Sequence, residues 1–117
     1  MSEEELARLA SVRTIELTTI GRHSGTETRI EIWWFYVEDR FVITGTPGKR
    51  DWYANVLVNP QVIVHTADGD IAGTATPISD PSFRERVFTH PDVGWYQTQT
   101  ELDRLVATSP MIEIALG

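Results

Sequence analysis

The sequence predicts an α+β protein built on a small six-stranded antiparallel β-barrel with short flanking helices. Three observations predict it: short alternating apolar runs joined by turn residues, one helix signal inserted after the third run, and a pair of helix signals before the last run. The 117 residues suit one domain, expected over 1–117 with a helix over 1–11, and no repeat, linker or low-complexity stretch divides them. A chain of this size buries about two-thirds of its unfolded surface, enough for a core without disulfides or a structural metal. Zero cysteines fits that, excludes thiol nucleophiles and Cys-ligated metals, and makes a cytoplasmic location the expectation.

Ser2-Glu3-Glu4-Glu5 places an N-cap before acidic residues that suit the positive end of a helix dipole, with Leu6, Leu9 and Ala10 as an apolar stripe. Arg13 to Ile20 alternates and runs into Gly21 and Gly25, a strand and its turn. Glu27 to Val37 begins by alternating and becomes apolar on both faces at Trp33-Trp34-Phe35-Tyr36-Val37, so this second strand needs a further layer: a helix, a partner subunit or a planar ligand. Glu38-Asp39 turns it into a third strand over Arg40–Thr46. Asp51 then caps a helix over Trp52–Val58, which Asn59-Pro60 ends. Val62-Ile63-Val64, the Asp68-Gly69 turn and Ile71–Ile78 form a hairpin in which Gly73 and Ala75 admit close packing. Asp80-Pro81 opens a helix that runs to His90-Pro91 with Phe83, Val87 and Phe88 on one side. A second helix follows over Trp95–Ala107, and Met111–Leu116 is the sixth strand.

Ten Lys and Arg against 17 Asp and Glu give a net charge of −7, which repels nucleic acid and anionic membrane surfaces. The longest apolar runs are far too short to cross a bilayer, and Met1–Ala10 reads as an acidic helical start rather than a signal peptide. Against that acidic background, Gly21-Arg22-His23-Ser24-Gly25 combines turn N–H groups, a guanidinium and a hydroxyl, the parts of an anion site. A polar hairpin turn has the same composition. Gly48-Lys49-Arg50 stands directly before a helix start, where free N–H groups and the dipole attract anions, although Asp51 would put a carboxylate in the same place. Three of ten cations thus sit in glycine loops of an acidic chain. If the two loops converge, their target is a phosphate-bearing small molecule.

Trp33-Trp34-Phe35-Tyr36, Trp52-Tyr53 and Trp95-Tyr96 offer walls for a flat ring, with plain core packing as the alternative. Trp95-Tyr96 follows a loop, where the Tyr96 hydroxyl could face a substrate. His23, His65 and His90 have neither metal-ligand nor triad spacing, so no metal site is expected. No nicotinamide-binding glycine motif or nucleotide phosphate loop is present either.

Two blocks, Leu17-Thr18-Thr19-Ile20-Gly21-Arg22-His23-Ser24-Gly25 and Trp52-Tyr53-Ala54-Asn55-Val56-Leu57-Val58-Asn59-Pro60, together with the aromatic strand between them, resemble the deazaflavin-dependent nitroreductase family of split β-barrel flavin and deazaflavin oxidoreductases. The likeness in element order runs from about Val12 to the C-terminus. It implies a six-stranded split barrel of the FMN-binding type that holds coenzyme F420, a deazaflavin with a phosphate and an oligoglutamate tail. By that resemblance Arg22 and Ser24 contact the phosphate or tail, Lys49 and Arg50 hold the phosphate side, and Trp52 and Asn55 border the ring. His23, Gly25 and Tyr53 belong to the same binding set. His23 stands where the family usually has Lys, and the loop before the helix is shorter than is common there. The implied activity is hydride transfer from the reduced cofactor to small electron-poor acceptors: quinones, nitro compounds or activated alkenes. Tyr96 is the candidate catalytic proton donor, with solvent as the alternative source. The competing readings are an FMN-dependent barrel like the pyridoxamine-phosphate oxidase relatives and a non-catalytic flavin or deazaflavin carrier. A homodimer is expected from the doubly apolar Trp33–Val37 stretch, which a barrel core covers on one side only.

Overall fold

A computed structural model describes residues 4, 9 and 12–116; apart from Glu4 and Leu9, which are helical, the helix expected over 1–11 lies outside the described residues. The elements, in chain order, are β1 (Thr14–Ile20), β2 (Glu27–Trp33), β3 (Phe35–Val37), β4 (Arg40–Thr44), α1 (Asp51–Val58), β5 (Gln61–Thr66), β6 (Gly69–Pro77), α2 (Pro81–Thr89), a 3-10 turn (Gly94–Thr98), α3 (Leu102–Thr108) and β7 (Met111–Leu116). All strand pairs are antiparallel, in the order β2-β1-β5-β6-β7-β4-β3.

Seven strands replace the expected six because the long aromatic strand breaks at Trp34 into β2 and β3. These two pieces form opposite edges of the sheet although one residue joins them, so the sheet must curl until its ends meet, and β2 touches β4 across the gap. Trp34 fixes that meeting point. Its backbone N–H donates to Arg13 O at 3.1 Å, its indole N–H donates to Val12 O at 3.0 Å, and its ring stacks on Phe41 at 4.4 Å.

Side-chain alternation continues through the break and sorts residues into two cores. Ile30, Ile32 and Trp34 point to the inner face with Leu17, Ile43, Val64 and Ile112, which α1 closes with Trp52 and Val56. Phe35 and Val37 point outward and are buried with Val42 and Met111 under Phe83, Val87 and Phe88 of α2 and Leu105 of α3. The second layer over the doubly apolar stretch is therefore the chain's own helices, which removes that stretch as an argument for a dimer.

Two local expectations change. The helix expected over Trp95–Ala107 is a 3-10 turn and a separate α3, divided at Gln99–Glu101, because Tyr96 turns into the second core while Leu102 restarts the helical phase. The N-cap of α1 is Arg50, and Asp51 is the first helical residue rather than the cap. Other signals hold as read: Asp80 caps α2, accepting from Ser82 N–H at 3.1 Å ahead of Pro81, and Gly69 supplies a positive φ in the β5–β6 turn. At Gly73 a Cβ would lie 2.8 Å from Ile114 Cγ2 and 3.0 Å from Ala115 O. Since a backbone carbonyl cannot step aside, Gly73→Ala is expected to cost about 1–3 kcal/mol, read as a lower urea midpoint at unchanged slope.

Candidate active site

The loop after β1 and the helix after β4 are joined by one carboxamide. Asn55, buried on the inner face of α1, accepts the Arg22 backbone N–H at 3.1 Å and Arg22 Nη1 at 2.9 Å on Oδ1. Its Nδ2 donates to Thr19 Oγ1 at 3.2 Å. One turn further along, Asn59 Nδ2 donates to Gly21 O at 3.3 Å. Both asparagines of the Trp-Tyr-x-Asn-x-x-x-Asn-Pro block thus hold the Gly21–Gly25 loop against α1, and Arg22 also reaches Asp51 Oδ1 at 3.4 Å. Within the loop, Gly25 has φ +71° and Ser24 Oγ accepts the Thr26 N–H at 3.2 Å, so Ser24 shapes the turn.

The second loop arrives at the same helix end. Arg50 folds back to donate from Nη2 to Thr46 O at 3.0 Å and to Thr46 Oγ1 at 3.2 Å, and from Nη1 to Lys49 O at 3.2 Å. Gly48, at φ +141°, leaves room for this fold: a Cβ there would sit 2.8 Å from Arg50 Nη1. The acceptors of Arg50 are neutral, so its charge is not cancelled. Among the described residues no side chain caps α1, which leaves the first-turn N–H groups for a ligand. Arg22, Lys49 and Arg50 against Asp51 leave a local excess of two positive charges on a chain of net −7.

Beside this helix end lies a cleft of about 390 Å³, bounded by the ends of β2 and β4, the start of α1 and the 3-10 turn. Trp33, Trp52, Trp95 and Tyr96 supply aromatic walls, and Arg50 and Gln99 supply polar groups. Trp33 and Trp95 meet edge to face at 5.5 Å, yet both stay exposed, at 39% and 52%. Tyr96 differs. Its ring is buried among Phe35, Phe88 and Trp95. Its hydroxyl bonds to none of the described residues, and it is not sealed in, since Ser109 Oγ is the one fully buried side-chain polar atom without a partner among them. Burial raises the Tyr96 pKa above the ordinary tyrosine value, while the charges of Arg13 and Arg50 pull it down by less. The phenol therefore stays protonated at neutral pH.

Of the residues singled out from sequence, Trp33, Arg50, Trp52, Trp95 and Tyr96 share the cleft. Arg22, exposed His23, Ser24 and Gly25 lie in the loop docked on the same helix; exposed Lys49 stands just before that helix, and neither Arg22 nor Lys49 lines the cleft. Asn55 joins the first loop to α1 and is not among the residues lining the cleft. Tyr53 packs its ring against Trp52 at 5.8 Å but lines a different cavity, on the far side of α1. Sequence reasoning missed Gln99, hidden inside a helix that does not form, and Glu31, whose alternation along β2 reads as a solvated face. It also missed the roles of Thr19 and Asn59. A polar residue on the buried phase of β1 was the available signal for Thr19.

Among the described residues, no group of three or more His, Asp or Glu could hold a metal ion, and no helix is long and apolar enough to cross a membrane. The model of the F420H(2)-dependent quinone reductase family matches residues 2–109. No curated protein matches the chain. Among solved structures, an F420-H2 dependent reductase is 21% identical with a TM-score of 0.64, over 88% of this chain and 94% of that one. A FAD-binding protein of Mesorhizobium loti is 16% identical at 0.69, over 100% and 91%. A protein described as a domain-swapped dimer is 20% identical at 0.65, over 97% and 95%. These likenesses give the fold, a split barrel. If the Asn55 carboxamide is what holds the first loop, Asn55→Ala frees the Arg22 amide: hydrogen exchange there accelerates, and stability falls by about 1–3 kcal/mol because Thr19 and Arg22 lose a buried partner.

Proposed function

Because the chain belongs to the F420H(2)-dependent quinone reductase family, we propose that its aromatic cleft receives the ring of coenzyme F420 and that the acceptors are small, flat and electron-poor: quinones, nitro compounds or activated alkenes. The chain is an oxidoreductase by that membership. The observation that carries the finer reading is the meeting, at one uncapped helix end, of Arg50 and Trp52 from the cleft with the Arg22 loop keyed on by Asn55.

The residues present fit the cofactor. An anionic phosphate and tail suit the free N–H groups of α1 and the net positive charge that Arg22, Lys49 and Arg50 keep against Asp51. A flat ring suits the Trp52 and Trp33 walls. When bound, the reduced deazaflavin supplies a hydride. The protein's part is to hold ring and acceptor together, to shield them with Trp33 and Trp95, and to offer the Tyr96 hydroxyl as a proton donor where charge builds on the acceptor. The raised Tyr96 pKa keeps that donor in place through neutral pH and removes it only as the pH rises past the ordinary tyrosine range.

A cytoplasmic location and a homodimer complete the reading. The lack of cysteine in the sequence supports the first. The domain-swapped relative supports the second, as do Leu57 and Val58 at the end of α1, more than half exposed and apolar. Sedimentation at micromolar concentration is expected to give twice the chain mass, and a single-chain mass removes the dimer.

Titration with F420 is expected to quench tryptophan fluorescence saturably, with FMN binding more weakly in a parallel titration. Lys49→Ala or Arg50→Ala weakens F420 by about tenfold or more, the scale of one lost charge-assisted bond. Equal affinity for both cofactors, or unchanged binding in both variants, defeats the assignment. With menadione as acceptor, Tyr96→Phe lowers turnover by about 10²-fold at near-constant cofactor affinity. It also abolishes the fall in rate at pH beyond the ordinary tyrosine range. Unchanged turnover assigns the proton to solvent.

A further inference from the structure

A cavity of about 590 Å³ lies outside the cleft, between α2, α3 and the far side of α1. Its floor holds Arg84, 8% exposed. The guanidinium donates from Nε to Val106 O at 2.6 Å, from Nη1 to Ile78 O at 2.7 Å and from Nη2 to Ser109 O at 2.5 Å. Three of its five N–H groups are thus engaged, and one remains on each terminal nitrogen without an acceptor among the described residues. No carboxylate among those residues pairs with it, and burial lowers its pKa, though an arginine remains charged. A desolvated cation without a counter-ion is costly, and a nearby anion offsets that cost more strongly here than at the surface.

The rest of the lining says which anion. Ile78, Leu102 and Val106 provide apolar wall. Tyr53, close enough to interact electrostatically with Arg84, brings a phenol, and Ser79 and Thr108 bring hydroxyls. Glu85 and Asp103, both exposed, stand at the rim. One buried cation facing two rim carboxylates disfavours a doubly charged phosphate and suits a single negative charge carried on an apolar body. The rim charges are exposed and screened, whereas Arg84 is not.

We propose that this cavity is a second binding site, separate from the cleft, for a small organic carboxylate with an apolar body, its two oxygens accepting the free N–H groups of Arg84. The inference does not rest on the identity of the cofactor.

Octanoate is the probe, with octanol and octylamine as the neutral and cationic counterparts, followed by calorimetry and by the NMR shifts of Leu102, Val106 and the Arg84 Nε–H. Octanoate is expected to bind saturably and shift these signals, about tenfold or more tighter than octanol, with octylamine weaker still. Arg84→Ala removes donors from three carbonyls and can unfold the chain, so the deciding variant is Ala107→Trp. Ala107 is exposed on α3 at the cavity wall, and a ring there fills the space without replacing a buried side chain. It should abolish octanoate binding and leave F420 affinity unchanged. Octanol binding as tightly as octanoate, octanoate affinity surviving Ala107→Trp, or no saturable binding at all overturns the proposal. Loss of F420 binding with octanoate binding intact would instead strike the cleft reading alone.

Discussion

The two edges of the sheet are consecutive in the chain, and the structure depends on the residue between them. An open seven-stranded sheet would leave β2 and β3 far apart. With one residue as the link they must come together, and Trp34, tied to Val12 and Arg13 and stacked on Phe41, holds them there. The curl gives the inner face a core that α1 closes. It also brings the end of β2 beside the end of β4, and the cleft opens in that angle.

The site that results runs against the charge of the whole. A protein of net −7 repels polyanions in general, yet the first turn of α1 gathers positive charge, free N–H groups and two glycine loops. Its cations are organised by neutral partners: Arg22 by a carboxamide, Arg50 by a carbonyl and a hydroxyl. Such partners fix a guanidinium without spending its charge, which stays available to a ligand. Asp51 is the one carboxylate in contact, at 3.4 Å and almost fully exposed, where water screens it.

Much of this was legible beforehand. Alternation located the strands, Asp80-Pro81 and Asp68-Gly69 located a helix start and a turn, and glycines next to cations marked both loops. Periodicity failed where two burial demands met. The stretch Trp33 to Val37 is apolar on both faces whether it is one strand or two, and the break at Trp34 shows only once the closing geometry is known. The 3-10 turn was likewise hidden, because Trp95 to Ala107 has helical composition while Tyr96 answers to a distant core. Sequence also marked Asn55 as part of the site. Its bonds to Arg22 and Thr19 reach 33 and 36 residues along the chain, which no local pattern encodes.

Tyr96 belongs to two structures at once, packed into the core beneath the helices and lining the cleft. On the proposed function, acceptor preference and fold stability meet in the same side chain. Divergence toward new acceptors is channelled to Trp33, Trp95 and Gln99, which border the cleft with little share in either core, and a lineage that replaces the tyrosine must first repack the hydrophobic interior behind it.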